Sequence, residues 1–178
     1  EPEVLYTGLT HSREPLSMMN LFYFVQNLFE SYDIDSSEAN YLIDERELWF
    51  IPVVNPDGYI YNEQIEPNGG GMHRKNRRDT GCGLGTQRGV DLNRNYGYGW
   101  GANDTGSSPD PCSALYRGES AFSEPEIEIV KDFILNRNFK NVLHYHSFGN
   151  VYIHPYGDGS YPDYGDLMIY RGLAQEMS

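Results

Sequence analysis

The stretch VLYTGLTHSREP, residues 4–15, decides the fold class because it joins a buried strand to a helix through a short polar loop. The apolar residues 4–9 predict a buried strand. Pro15 stands where a helix begins, a position that tolerates its missing N–H. Apolar residues then recur at helical spacing and predict a helix to about residue 32. The residues at this spacing are Leu16, Met19, Tyr23, Phe24 and Leu28.

Strands and helices alternate along the rest of the chain, which predicts an α/β fold with parallel strands. A capping box at Ser123–Glu126 predicts a helix to about residue 136. The turn signal NPDG at 55–58 follows a strand, and residues 63–111 are mostly loop. The other predicted elements are a short helix over 37–45 and strands over 48–54, 142–146 and 151–154.

Composition restricts the classes of function that are open to the 178 residues. A net charge of −13 repels nucleic-acid phosphate, so we expect no nucleic-acid partner. No run of residues reaches the ~20 apolar positions of a membrane span, so we expect no membrane partner. Cys82 and Cys112 both lie in loops rich in Gly, Ser and Pro. Either they form a disulfide, which predicts a secreted protein, or they are free thiols.

A metal site is indicated where the first strand ends. His11 and Glu14 lie at a strand-to-helix junction, where an open α/β sheet presents its functional site. His144 and His146 end another strand and point to one side, so either one can supply a third ligand. Two His and one Glu are suitable zinc ligands and leave a coordination position open, as in a catalytic site. The alternative is that these histidines are ordinary core or surface residues.

Basic side chains cluster in one Gly-rich loop of this acidic chain. They form either an anion site or a solvated basic loop. Arginine grips carboxylates through two parallel hydrogen bonds and can also stabilise an oxyanion near zinc. The cluster comprises Arg74, Lys75, Arg77, Arg78, Arg88 and Arg94.

Six short motifs in this order resemble the carboxypeptidase A/B family of zinc metallocarboxypeptidases, with the loop details closest to the bacterial carboxypeptidase T branch. Each motif alone is modest, but six in the family's order and nearly its spacing are specific. They cover residues ~5 to ~157. The motifs are THSRE at 10–14, NPDG at 55–58, HRKNR at 73–77, GVDLNRN at 89–95, YRG at 116–118 and HSF at 146–148.

The resemblance implies a role for each matching residue. One Zn²⁺ ion would be held by His11, Glu14 and His146. Arg74 would polarise the scissile carbonyl as the catalytic arginine, and Asp91 would orient His11. The residues that would contact the substrate are Arg13, Asn93, Arg94 and Phe148, with Asn93 and Arg94 gripping its terminal carboxylate.

The resemblance also implies a reaction: zinc-dependent hydrolysis of the C-terminal peptide bond of peptides and proteins. It implies a mixed, largely parallel twisted sheet flanked by helices, present in part. Residues 1–178 would be the N-terminal and central part of one catalytic domain. The general-base Glu and the mobile active-site Tyr would follow residue 178, so we expect the chain alone to turn over poorly.

Further expectations follow from the same resemblance. The cysteines lie where relatives of the pancreatic type carry a disulfide, which agrees with a secreted protein. The partners would be peptides with a free C-terminal carboxylate, and a propeptide or inhibitor protein. Non-proline cis peptides are expected at Ser147–Phe148 and Pro155–Tyr156. Two alternative functions are a non-catalytic zinc- and peptide-binding relative and a zinc deacylase of small acyl-amino acids.

Overall fold

The computed structural model describes residues 1–34 and 36–177 of the chain. The chain divides into two compact units, Glu1–Ser147 and Phe148–Ser178. The elements in chain order are β1 (Glu3–Thr7), α1 (Pro15–Asp33), α2 (Ser37–Glu45), β2 (Glu47–Ile51), α3 (Pro56–Ile65), a 3-10 turn (Leu92–Arg94), α4 (Pro125–Leu135), β3 (Phe139–His144) and α5 (Tyr164–Glu176).

The described strands of the longer unit form one parallel sheet in the order β2-β1-β3. Leu5 in the central strand pairs with Trp49 on one side and with Val142 on the other. Helices α1 and α2 connect β1 to β2, as a parallel connection requires. The predicted α/β class with a largely parallel, helix-flanked sheet is confirmed. Because the strands are parallel, their carboxyl ends meet at one edge.

Helix α1 begins at Pro15 as predicted, but its buried residues are only partly those that recur at helical spacing. Leu21 and Leu28 are buried, and they lie seven positions apart on one helix face. Leu16, Met19 and Tyr23 are exposed instead. The apolar residues of α1 surround the helix, so their spacing alone does not identify the face that packs on the sheet.

The NPDG segment begins helix α3 and is not the simple turn expected from its sequence. Asn55 Oδ1 accepts a hydrogen bond from the Gly58 N–H at 3.0 Å and caps the helix, with Pro56 in the first turn. A Cβ on Gly58 would lie 2.6 Å from the Lys75 carbonyl and 2.7 Å from the Ser12 Cβ. This close approach brings the segment that carries Arg74 against the loop that carries His11.

A small apolar core joins three segments: Val54 from the chain after β2, Leu92 from the 3-10 turn, and Ile127 and Val130 from α4. The expected capping box at Ser123 is wrong, because Glu124 is the N-cap of α4 and makes no side-chain cap. Asn95 provides the local bonds: its Oδ1 accepts from the Glu124 N–H at 3.1 Å. Ser123 Oγ instead donates to Glu124 Oε1 at 2.8 Å.

The shorter unit contains helix α5, which was not predicted from the sequence. Gly165 and Gly172 lie within it, and glycine is unfavourable inside a helix, so the helical signal in the sequence is weak. The strand predicted over 151–154 is wrong, since these residues form no strand. The peptide Pro155–Tyr156 is cis as expected, whereas Ser147–Phe148 is not among the cis peptides of the described residues. No helix in the described part of the chain is long and apolar enough to cross a membrane.

Candidate metal centre

The three candidate metal ligands come from the adjacent ends of two paired strands. His11 and Glu14 follow β1, and His146 follows β3. The Tyr145 N–H donates to the Thr7 carbonyl at 2.8 Å, which extends the strand pairing to the edge of the site. The parallel sheet therefore brings together side chains that are 132 positions apart in sequence.

The donor atoms of these three side chains lie close to one another. Glu14 Oε1 lies 2.9 Å from His11 Nδ1, and Glu14 Oε2 lies 2.9 Å from His146 Nδ1. The two imidazole Nδ1 atoms are 3.2 Å apart. His11 and Glu14 are buried, whereas the side chain of His146 is 33% exposed. The group therefore has a closed inner side and one side open to solvent.

These residues fit a zinc ion. Two ligands at ~2.05 Å from a tetrahedral ion lie ~3.3 Å apart, close to the separations observed here. Two imidazoles and a carboxylate are a common zinc donor set, and the fourth position would face the open side. A cation also accounts for two facing imidazole nitrogens at 3.2 Å, which otherwise need a proton between them. At these distances the three side chains are close enough together to hold one metal ion.

Asp91 lies next to the candidate ligands and contacts the side chains of His11 and Arg74. Its carboxylate is fully buried, and Oδ1 lies 3.3 Å from His11 Nε2. The alignment is not that of a good hydrogen bond, so His11 Nε2 has no hydrogen-bond partner although it is close to a carboxylate. The other oxygen, Oδ2, accepts from Arg74 Nε at 2.9 Å. Asp91 therefore holds the guanidinium of Arg74 and lies against the ring of His11.

Both carboxylates of this region are held in the ionised form. Burial would raise the pKa of Glu14, but hydrogen bonds and charge interactions with His11 and His146 outweigh burial and lower it. Burial would likewise raise the pKa of Asp91, but the contacts with His11 and Arg74 lower it. Two ionised carboxylates beside two imidazoles form an electrostatic environment that attracts a divalent cation.

Arg74 is the arginine that contacts the centre directly. Its Nη1 lies 3.8 Å from Glu14 Oε1, and its side chain is only 14% exposed. Asn93 and Arg94 belong to the 3-10 turn that follows Asp91, and the Asn93 N–H donates to Asp91 Oδ1 at 3.1 Å. One buried aspartate thus connects the candidate ligands, Arg74 and the turn that carries Asn93 and Arg94.

A model of the zinc carboxypeptidase family matches residues 1–177 of this chain. The chain belongs to the zinc carboxypeptidase family. The comparisons do not show the finer resemblance to the bacterial carboxypeptidase T branch, which stays a prediction.

Individual relatives match most of the chain. A metallocarboxypeptidase A-like protein of Trichophyton verrucosum is 32% identical over 161 residues, covering 88% of this chain and 35% of the relative. A protein of Arthroderma otae named an inactive metallocarboxypeptidase is 31% identical over 160 residues, covering 86% of this chain and 26% of the relative. The chain thus spans about a third or less of the length of these relatives.

A solved structure has the same fold as this chain. Carboxypeptidase A from Helicoverpa armigera superposes with a TM-score of 0.83 at 33% sequence identity. The superposition covers 99% of this chain and 40% of the solved chain. The arrangement of β1, β2, β3 and the intervening loops is therefore the partial zinc carboxypeptidase fold.

The remaining cations of the Gly-rich loop bond to the loop itself. Arg77 donates to the carbonyls of Leu84 and Gly85, and Arg88 donates to the Arg77 carbonyl. Arg78 pairs with Glu124 and with Glu119. Among the described residues of the cluster, Arg74 is within ion-pair distance of a candidate ligand, and the other three arginines hold the loop in shape. Arg94 also donates to loop carbonyls, so its contact with an anion stays a prediction.

Arg13 is exposed and borders a cavity of about 300 Å³ that Arg74 and Lys75 also line. The cavity also contacts Cys112, so the disulfide forms part of its rim. Cys82 and Cys112 are bonded to each other, as predicted, with an S–S distance of 2.08 Å. The free-thiol alternative is excluded for both residues.

Sequence patterns miss two supports of the centre. The Ser147 N–H lies 3.3 Å from Glu14 Oε2 and adds a backbone donor to the ligand carboxylate. Asn62 on α3 donates to the carbonyls of Ser12 and His73 at 3.0 and 2.9 Å. It therefore connects the loop that carries His11 to the segment that carries Arg74. Ser147 lies in the HSF motif but acts through its backbone N–H, and Asn62 lies in none of the six motifs, so the sequence does not indicate either role.

The structure separates the two neighbouring histidines of β3. His144 Nδ1 contacts Thr7 Oγ1 at 2.6 Å, whereas His146 faces Glu14. Their predicted shared direction does not make them equivalent, because the strand ends at His144 and His146 lies beyond it. Phe148 belongs to the shorter unit and is fully exposed, so its substrate contact stays a prediction.

Proposed function

We propose that the protein containing this chain hydrolyses the C-terminal peptide bond of peptides and proteins, with one zinc ion held by His11, Glu14 and His146. The observation that carries the proposal is the convergence of these three donors within 4.8 Å of one another, with Arg74 beside them. Membership of the zinc carboxypeptidase family supports the proposal.

Zinc bound at this centre supplies a water of lowered pKa and polarises a carbonyl oxygen. Arg74 holds a positive charge next to Glu14, so its guanidinium stabilises the negative charge that develops on the scissile carbonyl oxygen. Asp91 keeps Arg74 in this place through the bond to Nε, which leaves the Nη atoms for the substrate. The same carboxylate orients the ring of His11.

Asn93 and Arg94 explain why the enzyme would cleave only at the end of a chain. A guanidinium pairs with the terminal carboxylate in a charge-assisted contact, and a peptide bond within a chain offers no such group. The turn that carries both residues is fixed by Asp91, whose side chain accepts from the Asn93 N–H. A substrate whose carboxylate is bound by Arg94 would present its last peptide bond to the metal centre.

The compartment, partners and domain organisation belong to the same proposal. The disulfide between Cys82 and Cys112 favours an extracellular protein. The substrates would be peptides with a free C-terminal carboxylate, and a propeptide or inhibitor protein would cover the same cleft. Residues 1–178 would form the N-terminal and central part of one catalytic domain.

The experiment is peptide digestion by the full-length protein, with products identified by mass spectrometry. Peptides with different last residues are supplied with free or amidated C-termini, beside an acyl-aspartate. Stepwise loss of C-terminal residues from free-acid peptides only, abolished by a chelator and restored by zinc, is the expected result. Internal cleavage, or hydrolysis of acyl-aspartate alone, would refute the assignment and favour an endopeptidase or a deacylase.

R94A tests the carboxylate grip within the same experiment. Loss of a charge-assisted hydrogen bond is worth roughly 1.5–3 kcal/mol, so KM should rise about 10- to 100-fold with a smaller change in kcat. R88Q is the control, because Arg88 bonds a loop carbonyl and Asp79 instead of facing the centre. Equal kinetics of R94A and wild-type protein would contradict the binding of the substrate carboxylate by Arg94.

A second candidate is a non-catalytic protein that binds zinc and peptides. The relative named an inactive metallocarboxypeptidase, which is 31% identical, supports retaining this alternative. Such a protein would bind zinc and a C-terminal peptide but release no amino acid from any peptide in the panel. Equilibrium peptide binding by the zinc-loaded full-length protein, measured beside turnover, separates the two functions.

A further inference from the structure

The guanidinium of Arg94 is already held by backbone carbonyls. Its Nε donates to the Gly106 carbonyl at 2.6 Å, and its Nη1 donates to the Asn93 carbonyl at 2.8 Å. Nη2 therefore remains as the group that both of these contacts leave unused. The direction in which Arg94 offers Nη2 depends on where the loop containing Gly106 lies.

The loop containing Gly106 is short and polar, and it is exposed over residues 101–106. Gly106 has a φ of +77°, a conformation that a residue with a side chain adopts only with strain. The Thr105 N–H donates to Asn103 Oδ1 at 2.8 Å, which closes a tight turn just before Gly106. Nothing in these local bonds fixes the loop against the rest of the longer unit.

Arg117 supplies that attachment. Its Nη1 reaches Asp104 Oδ1 at 2.8 Å, Ser107 Oγ at 3.2 Å and the Asn103 carbonyl at 3.4 Å. These acceptors flank Gly106 on both sides. The side chain of Arg117 is only 11% exposed, whereas that of Asp104 is 68% exposed. A largely buried cation thus holds an exposed loop.

The backbone of Arg117 is itself anchored. Its N–H donates to the Ser108 carbonyl at 3.1 Å. Its carbonyl accepts from Asn95 Nδ2 at 2.9 Å and from Trp100 Nε1 at 3.0 Å. Asn95 immediately follows the turn that carries Arg94. Arg117 is therefore bonded to the same segment of the chain that carries Arg94.

We propose that Arg117 is a positioning residue for binding of the substrate carboxylate: it holds the 101–108 loop so that the Gly106 carbonyl fixes the guanidinium of Arg94. The inference rests on the proposed function, because it assigns to Arg94 the terminal carboxylate of the substrate. Arg117 itself touches no part of the candidate metal centre. Loss of its charge should loosen the loop and leave zinc binding intact.

The test is steady-state kinetics of the full-length protein carrying R117Q, with free-acid peptides of the kind that the wild-type protein cleaves. KM should rise about tenfold with kcat within about twofold, because a displaced binding group weakens substrate binding more than chemistry. Zinc content should equal that of wild type. R117K, which keeps the charge, should recover part of the lost affinity. R88Q, which removes an arginine that also bonds a carbonyl and an exposed aspartate, should keep the wild-type KM.

The kinetics separate failure of the proposed function from failure of the role of Arg117. If the wild-type full-length protein cleaves no peptide in the panel, the proposed function fails and this inference fails with it. If the wild type is active and folded R117Q has the wild-type KM, the inference is overturned while the function stands. Should R117Q fail to fold, D104A on the exposed partner is measured instead, and an unchanged KM in D104A overturns the inference.

Discussion

The carboxylate of Asp91 accepts a hydrogen bond from Nε of Arg74 across 2.9 Å. The other oxygen of the same carboxylate lies 3.3 Å from Nε2 of His11. A single buried residue therefore contacts both a candidate zinc ligand and the cation beside it. Changes at this residue should affect metal binding and turnover together.

D91N keeps the size of the side chain and removes its charge. We predict that zinc affinity falls about 10- to 100-fold, as for other residues that orient a metal-binding histidine. The measurement is a titration of the full-length protein with a competing chelator. D79N is the matched control, because Asp79 is exposed and pairs only with Arg88 among the salt bridges described. Equal zinc affinity in D91N and D79N would contradict the role of Asp91.

H146A and H144A distinguish the two histidines at the end of β3. H146A should lose zinc because it removes one of three donors, whereas H144A should keep it because His144 contacts Thr7 instead. Bound zinc is measured by elemental analysis after dialysis. Retention of zinc by H146A together with its loss from H144A would reverse the assignment of the third ligand.

The helices and strands that lead to the centre could be predicted because their signals are local. Pro15 marks the start of α1, and the helix over 37–45 has the predicted bounds. His11 and Glu14 lie three positions apart at a strand end, so the sequence places them at one site without further information. The disulfide could also be predicted, since both cysteines lie in loops.

The rest depends on contacts between distant segments, which local patterns do not record. The side of α1 that packs inward is chosen by the sheet, not by spacing, so Leu21 is buried and Tyr23 is exposed. NPDG begins α3 through the Asn55 cap and Pro56, but its close approach to Lys75 and Ser12 cannot be predicted from the segment itself. Asn62 joins two loops through bonds that span 50 and 11 positions.

The disulfide between Cys82 and Cys112 should stabilise the long loop without taking part in catalysis. It joins residues 30 positions apart, and on the chain-entropy model the cross-link contributes about 3–4 kcal/mol. The double variant C82A/C112A should therefore lower Tm by on the order of 10 °C. Differential scanning calorimetry of the full-length protein checks this. A variant with the wild-type Tm would show that the loop needs no cross-link.

Lys75 is a buried cation whose ammonium bonds three backbone carbonyls. Nζ donates to Gln87 at 2.6 Å, Ser113 at 2.8 Å and Pro111 at 3.3 Å. K75M removes all three bonds and should lower the free energy of unfolding by about 2–4 kcal/mol. K140M, at an exposed lysine, should change it little. Urea unfolding that ranks K75M with K140M would contradict this role.

The stability difference between wild type and K75M should also depend on pH. Burial lowers the pKa of Lys75 from 10.5 to about 8. Between these values the unfolded chain binds more protons at this residue than the folded chain, so raising the pH favours the folded wild type. Its advantage over K75M should therefore grow between pH 8 and pH 10. An advantage that shrinks over this interval would show that the folded protein keeps Lys75 charged.

Anomalous diffraction at the zinc edge, from crystals of the full-length protein, tests most directly whether His11, Glu14 and His146 hold one ion. We predict one strong peak at ~2.0–2.2 Å from Nδ1 of His11, Nδ1 of His146 and the carboxylate of Glu14. A peak at another group of residues, or no peak at this site in zinc-loaded crystals, would contradict the proposal that these three side chains hold a single ion.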